Sequence, residues 1–256
     1  MFLDNSCLLI IDPQIDFSQG GSLQVSNDSD AIYDNINKLL NKINICIISQ
    51  DYHPSNHSSF SENYIDAVPF ITVVDITLPD KTIFKQVCWP THCVQGTDGV
   101  KLSHLLNISG SERIVRKGTI VEIESYSAVG DSTTEKKFEL TQLIPYLTHN
   151  HFINIYICGL SYDFCVGNTA LDLALSNKGF NIHIITDCTR YVKQSCSTHI
   201  TESIFTTDWS KNMTTKLVAA NINFITSNNI EDKIHSQEFD GYQLLPHISE
   251  LLDICL

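Results

Sequence analysis

Six short apolar runs, rich in β-branched residues and set apart by longer stretches of helical periodicity, leave this chain few folds to choose from. Strands are expected at residues 7–11, 45–49, 113–115, 153–158 and 182–186, with a weaker one at 223–225. Between them, apolar residues recur at three- and four-residue steps near 30–41, 133–147, 164–177, 197–207 and 211–220, the spacing of amphipathic helices. Ser132 with Glu135 would cap the second of these, and Gly179 would end the third. Strand, helix, strand in repetition demands parallel pairing, because the chain must cross one face of the sheet before laying down its next strand. The expected class is therefore α/β: a doubly wound, mostly parallel sheet with helices on both faces. In such folds the site lies at the carboxyl ends of the strands.

Residues 1–226 read as one such domain. The polar stretch after residue 226 and an amphipathic pattern over 242–256 read as an appendix, to which no chemistry is assigned. The 29 acidic and 16 basic residues leave a formal charge of −13, which argues against a grip on nucleic acid or acidic lipid. The longest apolar runs, 7–11 and 43–48, are far short of the roughly 20 residues a membrane span needs. The first six residues hold Asp4 and no Lys or Arg, unlike the basic start of a secretory signal, so a cytosolic protein is expected. Nine cysteines form no C-x-x-C and are odd in number, which disfavours a disulfide framework or a zinc ribbon. Reduced, buried thiols are expected, one of them a candidate nucleophile.

The strand ends carry the chemistry. The first strand runs into IIDPQIDFSQGGSL, where Asp12 leaves an apolar strand and Asp16 looks like an ordinary neighbour. The second runs into SQDYHPSNHSSF, whose Asp51 and His53, two apart, point to one side of an extended chain; His57 follows, and His92 lies in CWPTHCVQGT. One carboxylate with imidazoles suits a divalent ion such as zinc, manganese or iron, and three protein ligands leave positions open for water or substrate. The third strand ends near Lys117 in IVRKGT. The fourth reaches GLSYDFCVGNTALD, where Cys165 would sit in the first turn of a helix, whose N–H groups lower a thiol pKa. Each residue alone has an ordinary explanation: a loop-capping Asp, solvated His, a surface Lys, a buried Cys.

Together, IDPQIDFSQGGSL, SQDYHPSNHSSF, WPTHCVQGT, KGT followed by SYSA, and GLSYDFCVGNTALD make the chain resemble, over about residues 7–225, the nicotinamidases of the isochorismatase-like cysteine hydrolase superfamily. The resemblance implies a catalytic Asp12, Lys117 and Cys165, and an ion on Asp51, His53 and His92, zinc foremost, with His57 as a supporting group. It implies a pyridine pocket lined by Phe17, Trp89 and Tyr126. It also implies an oxyanion hole of the Ser161 and Cys165 backbone N–H groups, usually beside a cis peptide bond. The implied reaction is hydrolysis of nicotinamide to nicotinate and ammonia through a Cys165 thioester, with the metal orienting the ring, as a step of NAD salvage. Ser161 stands where relatives commonly have Ala, and Val129 where they often have an aromatic. Alternatives are a sibling hydrolase acting on isochorismate or a carbamoyl amine, a metal-only hydrolase in which Cys165 is dispensable, and a binding protein on the same fold. A homo-oligomeric state is left open.

Overall fold

The computed structural model describes residues 5–78, 80–131, 140–192 and 206–230. Its strands are β1 (Ser6–Ile11), β2 (Cys46–Asp51), β3 (Val73–Thr77), β4 (Ile83–Val87), β5 (Arg113–Lys117), β6 (Asn154–Leu160), β7 (Asn181–Arg190) and β8 (Asn223–Ile225). Its α-helices are α1 (Tyr33–Leu40), α2 (Leu143–His149), α3 (Gly167–Leu175) and α4 (Thr206–Ala219). Six strands form one sheet in the order β5-β2-β1-β6-β7-β8, every neighbouring pair parallel.

β1, whose six residues SCLLII are all buried, lies at the centre and shows why the sheet is covered twice. Its side chains alternate between faces. Leu8 and Ile10 pack with Ile36 and Leu39 of α1 on one face, while Cys7, Leu9 and Ile11 pack with Leu143, Leu147, Ala170, Leu173 and Leu217 from α2, α3 and α4 on the other. From β1 the chain first adds β2 and β5 on one side, then β6, β7 and β8 on the other. The strand order thus reverses at β1, and such a reversal opens a crevice at the carboxyl ends of the central strands.

Most strands extend past their apolar runs. Hydropathy marks only the part sandwiched between helices, whereas ladder pairing continues through polar residues; Asp51 and Lys117 are themselves register partners at the ends of β2 and β5. The antiparallel β3–β4 hairpin was not anticipated. Its strands, VVDIT and IFKQV, bury little beyond a small cluster of Ile76, Leu78 and Ile123, so they lack the apolar continuity of the main sheet.

The helix expected over 133–147 is corrected: within the described residues it begins at Leu143, and Pro145 then falls in its first turn. A proline is tolerated there but would break a helix already under way. The Ser132–Glu135 cap lies outside the described residues. In place of one helix over 164–177, a single π turn, Tyr162–Val166, leads into α3. Asn177, in the left-handed region at φ 55°, follows the Ser176 C-cap of α3, so Gly179 belongs to the turn beyond it. α4 covers the helix expected over 211–220 and begins five residues earlier; residues 197–205 of the other expected helix lie outside the described residues, as does the proposed helix over 242–256. No described helix is long and apolar enough to cross a membrane. The seven described cysteines are all free thiols.

Candidate active site

At the carboxyl ends of β1, β2, β5 and β6 the fold gathers Asp12, Asp51, Lys117 and Cys165, all buried. The alternation that buries Val115 in β5 also buries Lys117 two residues on. A buried ammonium is costly unless paired. Lys117 Nζ lies 2.9 Å from Asp12 Oδ2 and 2.6 Å from Asp51 Oδ1, and it donates to the Ser125 carbonyl at 3.0 Å and to Cys165 Sγ at 3.4 Å. Burial alone would strip its proton, but the two carboxylates outweigh it and hold Lys117 well above the ordinary lysine value.

Asp12 sits just past β1 with φ 45°, a left-handed bend that turns its side chain into the crevice. Ser49 orients it, donating its hydroxyl to Asp12 Oδ1 at 2.6 Å and accepting the Asp12 N–H at 3.1 Å. Complete burial pushes Asp12 up to about 6 against the pull of Lys117, a value suited to taking and returning a proton near neutral pH. Asp12, Asp51 and Cys165 each place one ligating atom within 4.8 Å of the others. The low thiol pKa expected for Cys165 is corrected: burial raises it well above 9.0, and Lys117, shared with two carboxylates, only partly offsets that. The thiol is therefore protonated at rest and needs a base, although Cys165 does lie in the first turn of a helical segment, the π turn Tyr162–Val166 that continues into α3.

Asp51 faces two ways. Oδ1 pairs with Lys117, and Oδ2 lies 3.7 Å from His53 Nε2. Asp51, His53 and His92 bring one donor atom each within 4.8 Å of the others. Their tautomers follow from their partners, because a carbonyl can only accept. His53 Nδ1 donates to Gly118 O at 2.8 Å and His92 Nδ1 donates to Pro90 O at 2.7 Å, which leaves both Nε2 lone pairs bare. His53 Nε2 is buried with no hydrogen-bond partner. Burial lowers both imidazoles, His92 to about 4 and His53 well below 6.5, with each further lowered by a neighbouring histidine, so both are neutral. Two neutral imidazoles and a carboxylate fit a divalent ion. His57 is different: Nε2 lies 3.2 Å from the Ile123 carbonyl and Nδ1 2.8 Å from the Ser59 hydroxyl, and its ring lies tilted against that of His53, centroids 4.1 Å apart. It buttresses His53 with both nitrogens engaged.

Beside this cluster opens a cleft whose lining includes Phe17, Trp89 and Tyr126 together with His92, Ser161 and Cys165. Trp89 Nε1 donates to the Tyr126 hydroxyl at 3.0 Å, and Phe164 meets Trp89 edge-on at 4.9 Å. Flat aromatic walls closing on a thiol suit a planar ring bearing an acyl group. The Leu160–Ser161 peptide bond is cis. Val129 is buried in the core on the α3 face and does not line the cleft.

Four polar residues escaped the sequence reading. Buried Gln14 clamps Asp51, donating to its carbonyl at 2.8 Å and accepting its N–H at 2.8 Å. Asp16 accepts the Cys93 N–H at 2.7 Å and so steadies the loop of His92; Gly99 leaves it room, since a Cβ there would come 2.1 Å from the carboxylate. Glu124 is buried, lines the cleft, and shares a 4.8 Å cluster with His53 and His57. Asp163 is buried two residues before Cys165. Proximity to Asp12 in DPQID was the one available signal for Gln14 and Asp16; Glu124 differs from exposed Glu122 in nothing local.

A model of the isochorismatase domain matches residues 6–214. The nicotinamidase of Acinetobacter baylyi is 37% identical over 194 residues, covering 76% of this chain and 85% of that protein. Among solved structures, an Acinetobacter baumanii nicotinamidase/pyrazinamidase superposes with TM-score 0.74 at 31% identity, over 89% of this chain and 99% of that one. The Pyrococcus horikoshii pyrazinamidase in complex with zinc gives TM-score 0.63 at 26% identity, over 87% and 99%. Matched over most of its length by this domain and by such relatives, the chain belongs to the isochorismatase-domain family and is an amidohydrolase.

Proposed function

We propose that the protein hydrolyses nicotinamide to nicotinate and ammonia, a step that returns the pyridine ring to NAD synthesis, through an acyl-thioester on Cys165. The observation that carries this reading is the position of Lys117, bonded at once to Asp12, Asp51 and the Cys165 sulfur beside an aromatic cleft. The nicotinamidase relatives support the choice of substrate.

Asp12, within hydrogen-bonding reach of the thiol, takes its proton as sulfur attacks the carboxamide carbon. The charge that builds on the carbonyl oxygen falls to the backbone N–H groups of Ser161 and Cys165. As the C–N bond breaks, Asp12 gives its proton to the departing nitrogen, releasing ammonia. Asp12 then takes a proton from water as the hydroxide attacks the thioester; the C–S bond breaks, nicotinate leaves, and the sulfur regains its proton. Lys117 keeps a positive charge beside the sulfur throughout and steadies the thiolate as it forms. Phe17, Trp89 and Tyr126 hold the ring.

Asp51, His53 and His92 would hold one divalent ion, a reading supported by their bare Nε2 atoms and by the zinc-bound relative, and zinc is the ion proposed. When bound, the ion supplies an electrophilic anchor for the pyridine nitrogen, which turns the carboxamide towards Cys165. The test is ammonia release from nicotinamide by purified protein, with and without a chelator. Absence of turnover by the metal-loaded protein would overturn the proposal.

A further inference from the structure

One wall of the cleft is supplied by a residue that the proposed chemistry does not use. Val192 lies two residues past β7, lines the cleft, and packs in the same apolar cluster as Phe17, Leu23, Val25 and Trp89. Its backbone N–H is donated to the carboxylate of Asp163, 3.1 Å from Oδ1 and 3.3 Å from Oδ2, across 29 positions of sequence. Asp163 stands in the π turn of Cys165, is 4% exposed, and also takes a bond from the Ser161 side chain.

Its partners are neutral donors, which is an expensive way to bury a carboxylate if the aim were stability alone. What the arrangement achieves is geometric. The turn that aims the nucleophile, the start of that turn at Ser161, and the apolar wall at Val192 are tied to one side chain. The spacing between sulfur and wall is thereby set through a single carboxylate.

Building on the amidase reading above, we propose that Asp163 is a positioning residue that sets the width of the substrate cleft through Val192 and so selects unsubstituted aromatic carboxamides over ring-substituted ones. A misplaced wall changes ground-state binding and ring discrimination more than it changes the bond-breaking step.

The test compares kcat and KM for nicotinamide with those for 4-methyl- and 5-methylnicotinamide in the metal-loaded parent, Asp163→Ala, Asp163→Asn and Val192→Ala. Asp163→Ala should raise KM for nicotinamide about tenfold while kcat stays within about threefold, and the kcat/KM of at least one methylated substrate relative to nicotinamide should rise about fivefold, inside the range one methyl group commands in an apolar pocket. Asp163→Asn, which keeps an acceptor for the Val192 N–H, should restore the parental ratio to within about twofold. Val192→Ala, which removes the wall and leaves the bond, should relax the ratio as Asp163→Ala does, and it decides the matter if Asp163→Ala fails to fold. Equal losses on all three substrates, or ratios unchanged in Val192→Ala, would overturn the inference and leave the amidase reading standing. A parent inert towards nicotinamide would instead overturn both.

Discussion

Around Lys117 one ammonium serves two carboxylates, lying 2.9 Å from Asp12 and 2.6 Å from Asp51. At the other oxygen of Asp51 the setting differs. His53 Nε2 has no hydrogen-bond partner, and neutral His92 turns its own free Nε2 to the same cluster. The two corners share Asp51 yet differ in kind. In the thiol corner an ion pair and the Ser49 bond hold the base in place. The proposed metal corner is a carboxylate and two imidazole lone pairs whose ligand atoms lie within 4.8 Å of one another. Preorganised groups cost no reorganisation at the moment of reaction, whereas a ligand set can wait for its ion. Catalysis and ring orientation should therefore be separable.

The sharpest way to break that comparison is Cys165→Ala. Turnover should fall by at least about a thousandfold, the nucleophile being gone, while bound zinc measured by atomic emission stays at the parental stoichiometry. Loss of the metal together with activity would show that the corners are not independent. Next come Asp12→Asn and Lys117→Ala, each expected to cost about 10² to 10⁴ in kcat. Their double variant should lose far less than the product of the two single losses, because the groups act on one proton and one sulfur. Multiplicative losses would count against a coupled unit. Lys117→Ala should also lower Tm markedly, since it leaves two buried carboxylates uncompensated.

Removal of the ion probes the other corner. Chelation, or His92→Ala, should raise KM for nicotinamide by about ten- to a hundredfold, as part of the positioning advantage is lost. Benzamide, which lacks the ring nitrogen, should be a poor substrate for the parent and nearly insensitive to chelator. Benzamide turnover equal to that of nicotinamide would rule out ring anchoring. The smallest effect is expected from Gly118→Ala. An added Cβ would come 2.5 Å from the His53 ring, on a residue already at φ 62°, so the ring must turn away. Competition with a zinc indicator should show metal affinity reduced by about tenfold, the low end for a change behind a ligand. Unchanged affinity would mean that the Gly118 contact does not hold the ligand in place.

The apolar runs located all six strands of the main sheet, but they underestimated how far β2 and β5 carry polar residues, because ladder bonds do not require hydrophobic side chains. The β3–β4 hairpin escaped notice since it is half-exposed and buries only a small cluster. The helix over 133–147 was drawn through Pro145, a backbone constraint that periodicity does not register. Gln14 and Glu124 were missed for another reason: a clamp on Asp51 and an acid in the cleft are defined by what lies across space from them.

Local pattern alone determined the parallel α/β class and put Asp12, Asp51, His53, Lys117 and Cys165 forward as candidates at the strand ends, since strand termination and residue chemistry are properties of short segments. Only the tertiary structure decided that Lys117 would serve two carboxylates, that the Gly118 and Pro90 carbonyls would choose the imidazole tautomers, and that Cys165 would rest as a thiol and not a thiolate. Protonation and pairing depend on desolvation and on distances of a few ångströms between residues on different strands, and those exist only once β1, β2, β5 and β6 lie side by side.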